Sequence, residues 1–382
     1  MTARPEGVAI GTSGPHHGQA YGILTIDLDA IVDNWRDLRE RCSPAACAVV
    51  VKADGYGCGI DPVTSALAKA GCTTFFVADF NEGRRVRRLV PDATIYVFNG
   101  LMPGAADNYA KDNLQPVLGS LVELGEWKAF CEATGWSGRA ALHVDTGINR
   151  LGLRPEQAAR LAEHDRFVPR RIDLLMSHFA CADEPGHPLN AKQMAAFRDI
   201  RGMFPAIPGS LANSSGIFLG PDAHHDLVRP GVALYGANPT PGHLNLMRPV
   251  VRLEAGIVQV RDVPQGETVG YGATWTATRP VRLAVVGIGY ADGFLRAAGA
   301  SDQHPGATAL VGGHPCPLAG RISMDLLAVD VTGLAHAPSR GDRVTLIGEQ
   351  ITVDTVASHA GTIGYEVLTS LGPRYHRVYR GG

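Results

Sequence analysis

Hydrophobic residues in the first two thirds of the chain fall in short, nearly unbroken runs. They are ACAVVVK near 46–52, TFFVAD at 74–79, TIYVFNG at 94–100, LQPVLG at 114–119, AALHVDTG at 140–147, IDLLMSHFA at 172–180, GSLANSS at 209–215 and GVALYG at 231–236. Between them lie PVTSALAKA, NEGRRVRRLV, SLVELGEWKAF, RPEQAARLAEH and NAKQMAAFRDIRGMF, whose apolar residues recur at spacings of three and four. The first pattern predicts strands buried on both faces, the second amphipathic helices. Their alternation implies a parallel sheet covered on its outer face, and eight such strands predict a (β/α)8 TIM-type barrel, with a doubly wound sheet as the alternative.

Past about residue 245 the period changes. VVRLEAGIVQVRDV, VRLAVVGIGY, ATALVGG, LLAVDVT and DRVTLIG read as strands between turns, and helical spacing returns only at TVASHAGT near 355. The chain thus divides into a disordered leader over 1–21, a barrel over 22–245 and a mostly-β C-terminal domain over 246–382. The stretch ILTIDLDAIVDNWRDL at 23–38 pairs a strand with a helix, and the pattern alone does not say which domain owns that strand.

Composition narrows the function classes. A chain of 382 residues, 45% hydrophobic and 19% charged, has ample core for two domains. A formal net charge of −2 gives no footprint for a nucleic acid or an acidic membrane as partner. Seven cysteines, an odd number with no C-x-x-C, argue for reduced thiols rather than a disulfide framework. The leader is rich in Gly, Pro and His and lacks the apolar centre of a signal peptide. No run approaches the roughly 18 apolar residues of a membrane span. A soluble, cytoplasmic protein is expected.

Candidate chemistry begins at AVVVKADGYGCG, residues 48–59, where a buried-looking strand ends in Lys52. In a barrel of this kind the carboxyl ends of the strands carry the site. A lysine there is either a Schiff-base amine holding pyridoxal 5′-phosphate or a side chain whose head reaches water. His178 and Arg229 read by themselves as a satisfied core histidine and an arginine paired to Asp226, and Tyr271 as a turn tyrosine. The Ser/Gly cluster near Asn213, Ser214, Ser215 and Gly216 permits close backbone approach to an anion, and is equally plain loop chemistry.

The run KADGYGCG resembles the lysine motif of the alanine racemase family, the fold type III pyridoxal phosphate enzymes. Further segments match in order: HVDTGINRLG, MSHFACAD, LANSSGI, VRPGVALYG, VGYGATWTA, GYADGFLR, GRISMDLLAVDV and GTIGYEVLTSLGPRY. The resemblance covers nearly everything after the leader. It implies an N-terminal barrel, a C-terminal β domain and a homodimer whose active sites draw on both chains. The implied activity is reversible interconversion of L- and D-alanine, with no nucleic acid or membrane partner. Racemisation takes a proton from one face of a planar carbanion and returns one to the other, so two acid–base groups are needed. The resemblance makes them Lys52 and Tyr271 of the partner subunit. Reference pKa values of an amine and a phenol lie at about 10, so the site must lower them.

The remaining roles are also carried over by resemblance. His178 would hydrogen-bond the catalytic tyrosine, and Arg229 would donate to the cofactor's ring nitrogen. A guanidinium keeps its proton, so the ring nitrogen would stay unprotonated and transamination would be suppressed. Tyr56, Asn213, Ser214 and the amides of Gly231 and Val232 would hold the phosphate. Arg150 and the amide of Met324 would meet the substrate carboxylate. Tyr290 and Tyr365 would narrow the pocket to about a methyl side chain, which leaves serine or a broader amino acid range as an alternative substrate. Asp325 and Arg296 would lie at the entrance.

Two positions depart from the family. His143 stands where many members carry a carbamylated lysine that orients the substrate-binding arginine, and Ser210 where a histidine often sits. His314 and Cys316, in GGHPCP, form an H-x-C pair of the kind related metal-assisted lyases of the D-threonine aldolase type use, without a clear third ligand. No metal is expected.

Overall fold

Eight short parallel strands form a closed ring, as a computed structural model of the chain describing residues 9–165 and 167–382 records. The first strand is broken into Ala46–Cys47 and Val49–Val50. The others are Thr74–Val77, Thr94–Val97, Gln115–Leu118, Ala140–His143, Ile172–Met176, Gly209–Ser210 and Leu227–Val228. From Val49–Val50 to Gly209–Ser210 each pairs with the next in parallel. Leu227–Val228 pairs with Ala46–Cys47, and the Arg229 amide donates to Ala212 O, which closes the barrel. Phe75, Phe76 and Val77 have no exposed surface, as a strand covered on both faces requires.

Helices alternate with these strands: Ile60–Lys69, Phe80–Leu89, Ala106–Lys111, Leu121–Thr134, Pro155–His164 and Pro188–Met203. Asp79 and Ser120 cap two of them, accepting from amides of the first turn. The barrel unit comprises 32–234 with 238–247; a second unit comprises the described residues up to 31, 235–237 and 248–382.

The second unit is built on the strand Val251–Val263, which serves two sheets. Its first half pairs with Gly22–Asp27 and with Arg343–Ile347. After a register shift between Ile257 and Gln259 its second half pairs with Val281–Val286. The strand His376–Arg380 lies parallel to Gly22–Asp27 and antiparallel to Ala9–Ser13. Two helices, Val353–Ala360 and Gly364–Thr369, complete the unit. No helix of the described residues is long and apolar enough to cross a membrane.

Three expectations are corrected. Gly22–Asp27 belongs to the β-rich unit and not to the barrel, because its ladder partners are Val251–Val263 and His376–Arg380. The leader is not disordered throughout: Ala9–Ser13 is a strand and His17–Gln19 a turn of 3-10 helix, while residues 1–8 lie outside the described residues. The eighth barrel strand is Leu227–Val228, ahead of GVALYG, and Val232–Tyr235 is a 3-10 helix. Pro230 O still accepts from Val50 N at 2.9 Å, but beyond it the Gly231 and Ala233 amides turn to Ser214 Oγ.

One carboxylate of the barrel unit carries a cost. Asp173 accepts from Tyr96 Oη at 3.0 Å, yet burial pushes its carboxyl up to about 6. The folded chain therefore keeps a proton there that the unfolded chain releases, and stability is lost as pH rises through that range. Asp173→Asn should raise the free energy of unfolding at pH 8 by roughly 1–2 kcal/mol. The gain should shrink as pH falls below about 6, in urea titrations at several pH values.

Candidate active site

Lys52 lies two residues past the strand Val49–Val50, after Val51, and the chain then enters a left-handed turn. Ala53, Asp54 and Tyr56 have φ of 53°, 53° and 52°, with Gly55 and Gly57 also positive. The turn closes on itself through Gly57 N to Ala53 O at 2.9 Å. It places the lysine amine 5.7 Å from the centroid of the Phe98 ring. Among the described residues the amine has no hydrogen bond or ion pair. Burial first, and then the charge of Arg150, hold its pKa below the usual lysine value, while Glu82 acts in the opposite sense.

Arg229 follows the eighth strand and is 2% exposed. Its Nη2 donates to Ser177 O at 2.6 Å and lies 3.4 Å from His178 Nδ1, and its Nη1 donates to Ser210 Oγ. Ser210 passes the contact on to Leu227 O at 2.6 Å, so the serine supports the arginine. The expected alternative pairing with Asp226 is not made, because that carboxylate binds Arg201 at 2.7 Å. Arg229 Nε is buried and has no partner among the described residues. Burial pushes the guanidinium down to about 9, which leaves it charged at neutral pH. Burial and then the charge of Arg229 hold His178 well below its ordinary value, so its ring is neutral.

Ser214, Gly231 and Tyr56 converge. Ser214 Oγ accepts from Gly231 N at 2.9 Å and Ala233 N at 3.2 Å. A Cβ on Gly231 would lie 2.2 Å from Tyr56 Oη, so only glycine leaves this hollow open. Val232 starts the 3-10 helix between the two bonded amides. Asn213 points elsewhere, its Oδ1 accepting from Gly216 N.

His143 ends the strand Ala140–His143, and the segment after it folds back so that Leu153 N donates to His143 O. This brings Arg150, which is exposed, within electrostatic reach of His143, His178 and Lys52. His143 is buried, its Nε2 has no partner, and burial with the Arg229 charge pushes it down to about 4. The position is therefore neutral.

Sequence reading missed the supports of this site. Gln193, fully buried on the helix Pro188–Met203, donates to His178 O and accepts from Ala180 N, both at 2.9 Å. It also reaches Thr146 Oγ1, which bonds Ser177 Oγ at 2.7 Å. Glu82 binds the Ala53 amide at 2.6 Å. Only the Asp79-x-x-Glu82 spacing, a capping-box signature, hints at it.

The other expected residues lie on the β-rich unit. Tyr271 opens a 3-10 turn between the paired strands Thr268–Val269 and Trp275–Thr276 and is 70% exposed. Tyr290 and Met324 are brought side by side: Tyr290 N donates to Ser323 O at 3.1 Å and Ala291 N to Met324 O at 2.9 Å. They are 41% and 52% exposed, and the Met324 amide has no acceptor among the described residues. Asp325 pairs with Arg374 at 2.6 Å. Arg296 lines a cavity of about 440 Å³ with Arg321 and Asp302. Tyr365 is half-buried in the helix Gly364–Thr369. His314 is exposed and Cys316 buried, and no group of three or more His, Cys, Asp or Glu among the described residues could hold a metal.

A closed (β/α)8 barrel with an unpaired amine and a buried arginine at its strand ends, joined in one chain to a β-rich unit, defines a class of enzyme rather than a binding module. The family pattern described as alanine racemase, N-terminal domain, matches residues 26–239, and that of the C-terminal domain matches 250–379. The alanine racemase of Methylobacterium sp. (strain 4-46) is 53% identical over 357 residues, covering 93% of this chain and 97% of the relative. A solved alanine racemase from Bartonella henselae, with covalently bound pyridoxal phosphate, superposes with a TM-score of 0.89 at 39% identity, covering 94% of this chain and 99% of that one. The biosynthetic alanine racemase of Pseudomonas aeruginosa gives 0.87 at 38% identity, covering 95% of this chain and 100% of that one. The chain belongs to the alanine racemase family.

The Tyr290–Met324 apposition depends on Gly289, where a Cβ would lie 2.2 Å from Ser323 O and 2.5 Å from Met324 O. Its backbone is extended, so the constraint is purely steric. Gly289→Ala should cost about 1–3 kcal/mol in urea unfolding.

Proposed function

We propose that the chain interconverts L- and D-alanine on pyridoxal 5′-phosphate held at Lys52, with Tyr271 of a second copy as the opposing acid–base group. The observation that carries this reading is the unpartnered Arg229 Nε, a buried charged donor with no acceptor among the described residues. A buried donor left in that state costs roughly 1–3 kcal/mol, which a ring-nitrogen acceptor would recover. The hollow formed by Ser214, Gly231 and Tyr56 suits the phosphate, being lined by a hydroxyl and a backbone amide. Asn213 shapes that loop rather than contributing a donor.

When bound, the cofactor supplies an electron sink beside the substrate's α-carbon. The chain's own groups do the rest. Lys52, with its pKa lowered by burial, has more free amine at neutral pH than an exposed lysine and takes or returns the α-proton on one face. Tyr271 serves the other face; its exposure suits a group completed by a neighbouring copy, as do those of Tyr290 and Met324. Neutral His178, its Nδ1 facing the Arg229 donor, carries its proton on Nε2 and can donate to the tyrosine oxygen. Arg150, with no ion pair among the described residues, is available to a carboxylate, and the Met324 amide is a second donor. Tyr290 and Tyr365 restrict the side chain to about the size of alanine's, and Asp325 and Arg296 guide entry. Cellular purpose is not separated by likeness: relatives at 47% and 46% identity carry the catabolic and the biosynthetic name.

Mixing two inactive variants tests the shared site. Lys52→Ala and Tyr271→Phe should each abolish racemisation of alanine, followed by circular dichroism, and Lys52→Ala should also lose the visible absorbance of bound pyridoxal phosphate. Unfolded and refolded together, they should recover about a quarter of wild-type activity, because half the random dimers then hold one intact site of two. No recovery, with both variants folded and dimeric, would defeat the shared site.

A further inference from the structure

The geometry points to Glu82 as a positioning residue for Lys52: its carboxylate holds the left-handed turn that follows the lysine and sets a negative charge beside the amine. The inference rests on the reading of Lys52 as the amine that moves the proton.

Three non-glycine residues of this turn, Ala53, Asp54 and Tyr56, are left-handed. Left-handed backbone is unfavourable for residues that carry a Cβ, by more than one neutral hydrogen bond recovers. Bonds to charged groups are stronger, and the helix Phe80–Leu89 supplies them from one face. Glu82 Oε1 accepts from Ala53 N at 2.6 Å and from Asp54 N at 3.4 Å. Its Oε2 accepts from Ala78 N at 2.9 Å. Arg85 pairs with Asp54 at 3.0 Å and Asp61 at 2.9 Å. Glu82 thus ties the exit of the first barrel strand to the exit of the second, one residue from Lys52.

The same unit holds an internal control. Glu123 occupies the same place in the helix Leu121–Thr134, and its two oxygens accept from Leu101 N and Gly119 N, both at 3.0 Å. The bonding is alike, but no left-handed lysine turn is involved. What distinguishes Glu82 is its surroundings. The charged or titratable groups that act on Lys52 are Arg150 and Glu82, and His178 feels the lysine in return. Of these only Glu82 is negative, and it opposes burial and Arg150.

The test uses the full-length holoenzyme. Glu82→Gln keeps the shape, removes the charge and turns a donor toward one of the two bonded amide sites; Glu82→Asp keeps the charge and withdraws it by one methylene. Amide hydrogen exchange over residues 53–58, read by mass spectrometry, should quicken about tenfold or more in both variants, with the helix Leu121–Thr134 unchanged. The acid limb of kcat for alanine, which reads the substrate complex in which the Lys52 amine is free, should move to lower pH in Glu82→Gln, because removing a negative neighbour eases loss of the Lys52 proton. It should stay in place in Glu82→Asp and in Glu123→Gln, where a purely structural loss would scale the rate equally at every pH. Wild-type exchange over 53–58 in both Glu82 variants would overturn the clamp, and an unmoved acid limb in Glu82→Gln would overturn the electrostatic role. If the wild-type chain lacked Lys52-dependent cofactor absorbance, the reading of Lys52 would fall, while the exchange measurement would still decide whether Glu82 holds the turn.

Discussion

A guanidinium buried without a carboxylate governs this barrel. Arg229 is held by Ser177 O, Leu211 O and Ser210 Oγ, all neutral acceptors. They take up the donors of Nη1 and Nη2 but leave Nε without a partner among the described residues and the charge uncancelled. An acid in their place would have neutralised the field and made the burial cheaper. Burial first, and this residual positive charge second, keep His178 and His143 unprotonated. Electrostatics and hydrogen bonding are thereby separated: the arginine is fixed in place by one set of groups while its charge acts on another.

The chain divides chemical labour along its domain boundary. The barrel unit carries the amine, the arginine and the hollow at Gly231. The β-rich unit carries the exposed phenol of Tyr271 and the Tyr290–Met324 corner. On the proposed mechanism each unit supplies the acid–base group for one face of the α-carbon. Rigidity differs too. The barrel groups stand on strand ends braced by Gln193 and Glu82, whereas Tyr271 stands on a short hairpin turn.

Much of this was legible in the sequence, for reasons that differ by element. Strands such as Thr74–Val77 announced themselves because burial on both faces demands an unbroken apolar run. GVALYG misled because its apolar residues are buried without joining a ladder, and period alone cannot tell a covered 3-10 turn from a covered strand. The owner of Gly22–Asp27 was not legible, since its partners lie more than 200 residues away. Site residues were readable as motifs, through their resemblance to a family. Their supports were not: Glu82 and Gln193 meet the backbone across 29 and 15 positions, and nothing local marks a polar residue as a brace. Arg150 fell between these cases. Its motif named it, but the neutral His143 beside it became intelligible only once its burial was known.

The strand Ala9–Ser13 covers one flank of His376–Arg380, whose other flank is taken by Gly22–Asp27. Trimming the leader as dispensable would bare a row of hydrogen-bonding groups along the carboxyl-terminal strand. Such a bared flank recruits extended segments from other molecules. A shortened chain would thus meet its first difficulty in solubility, well away from the reacting groups.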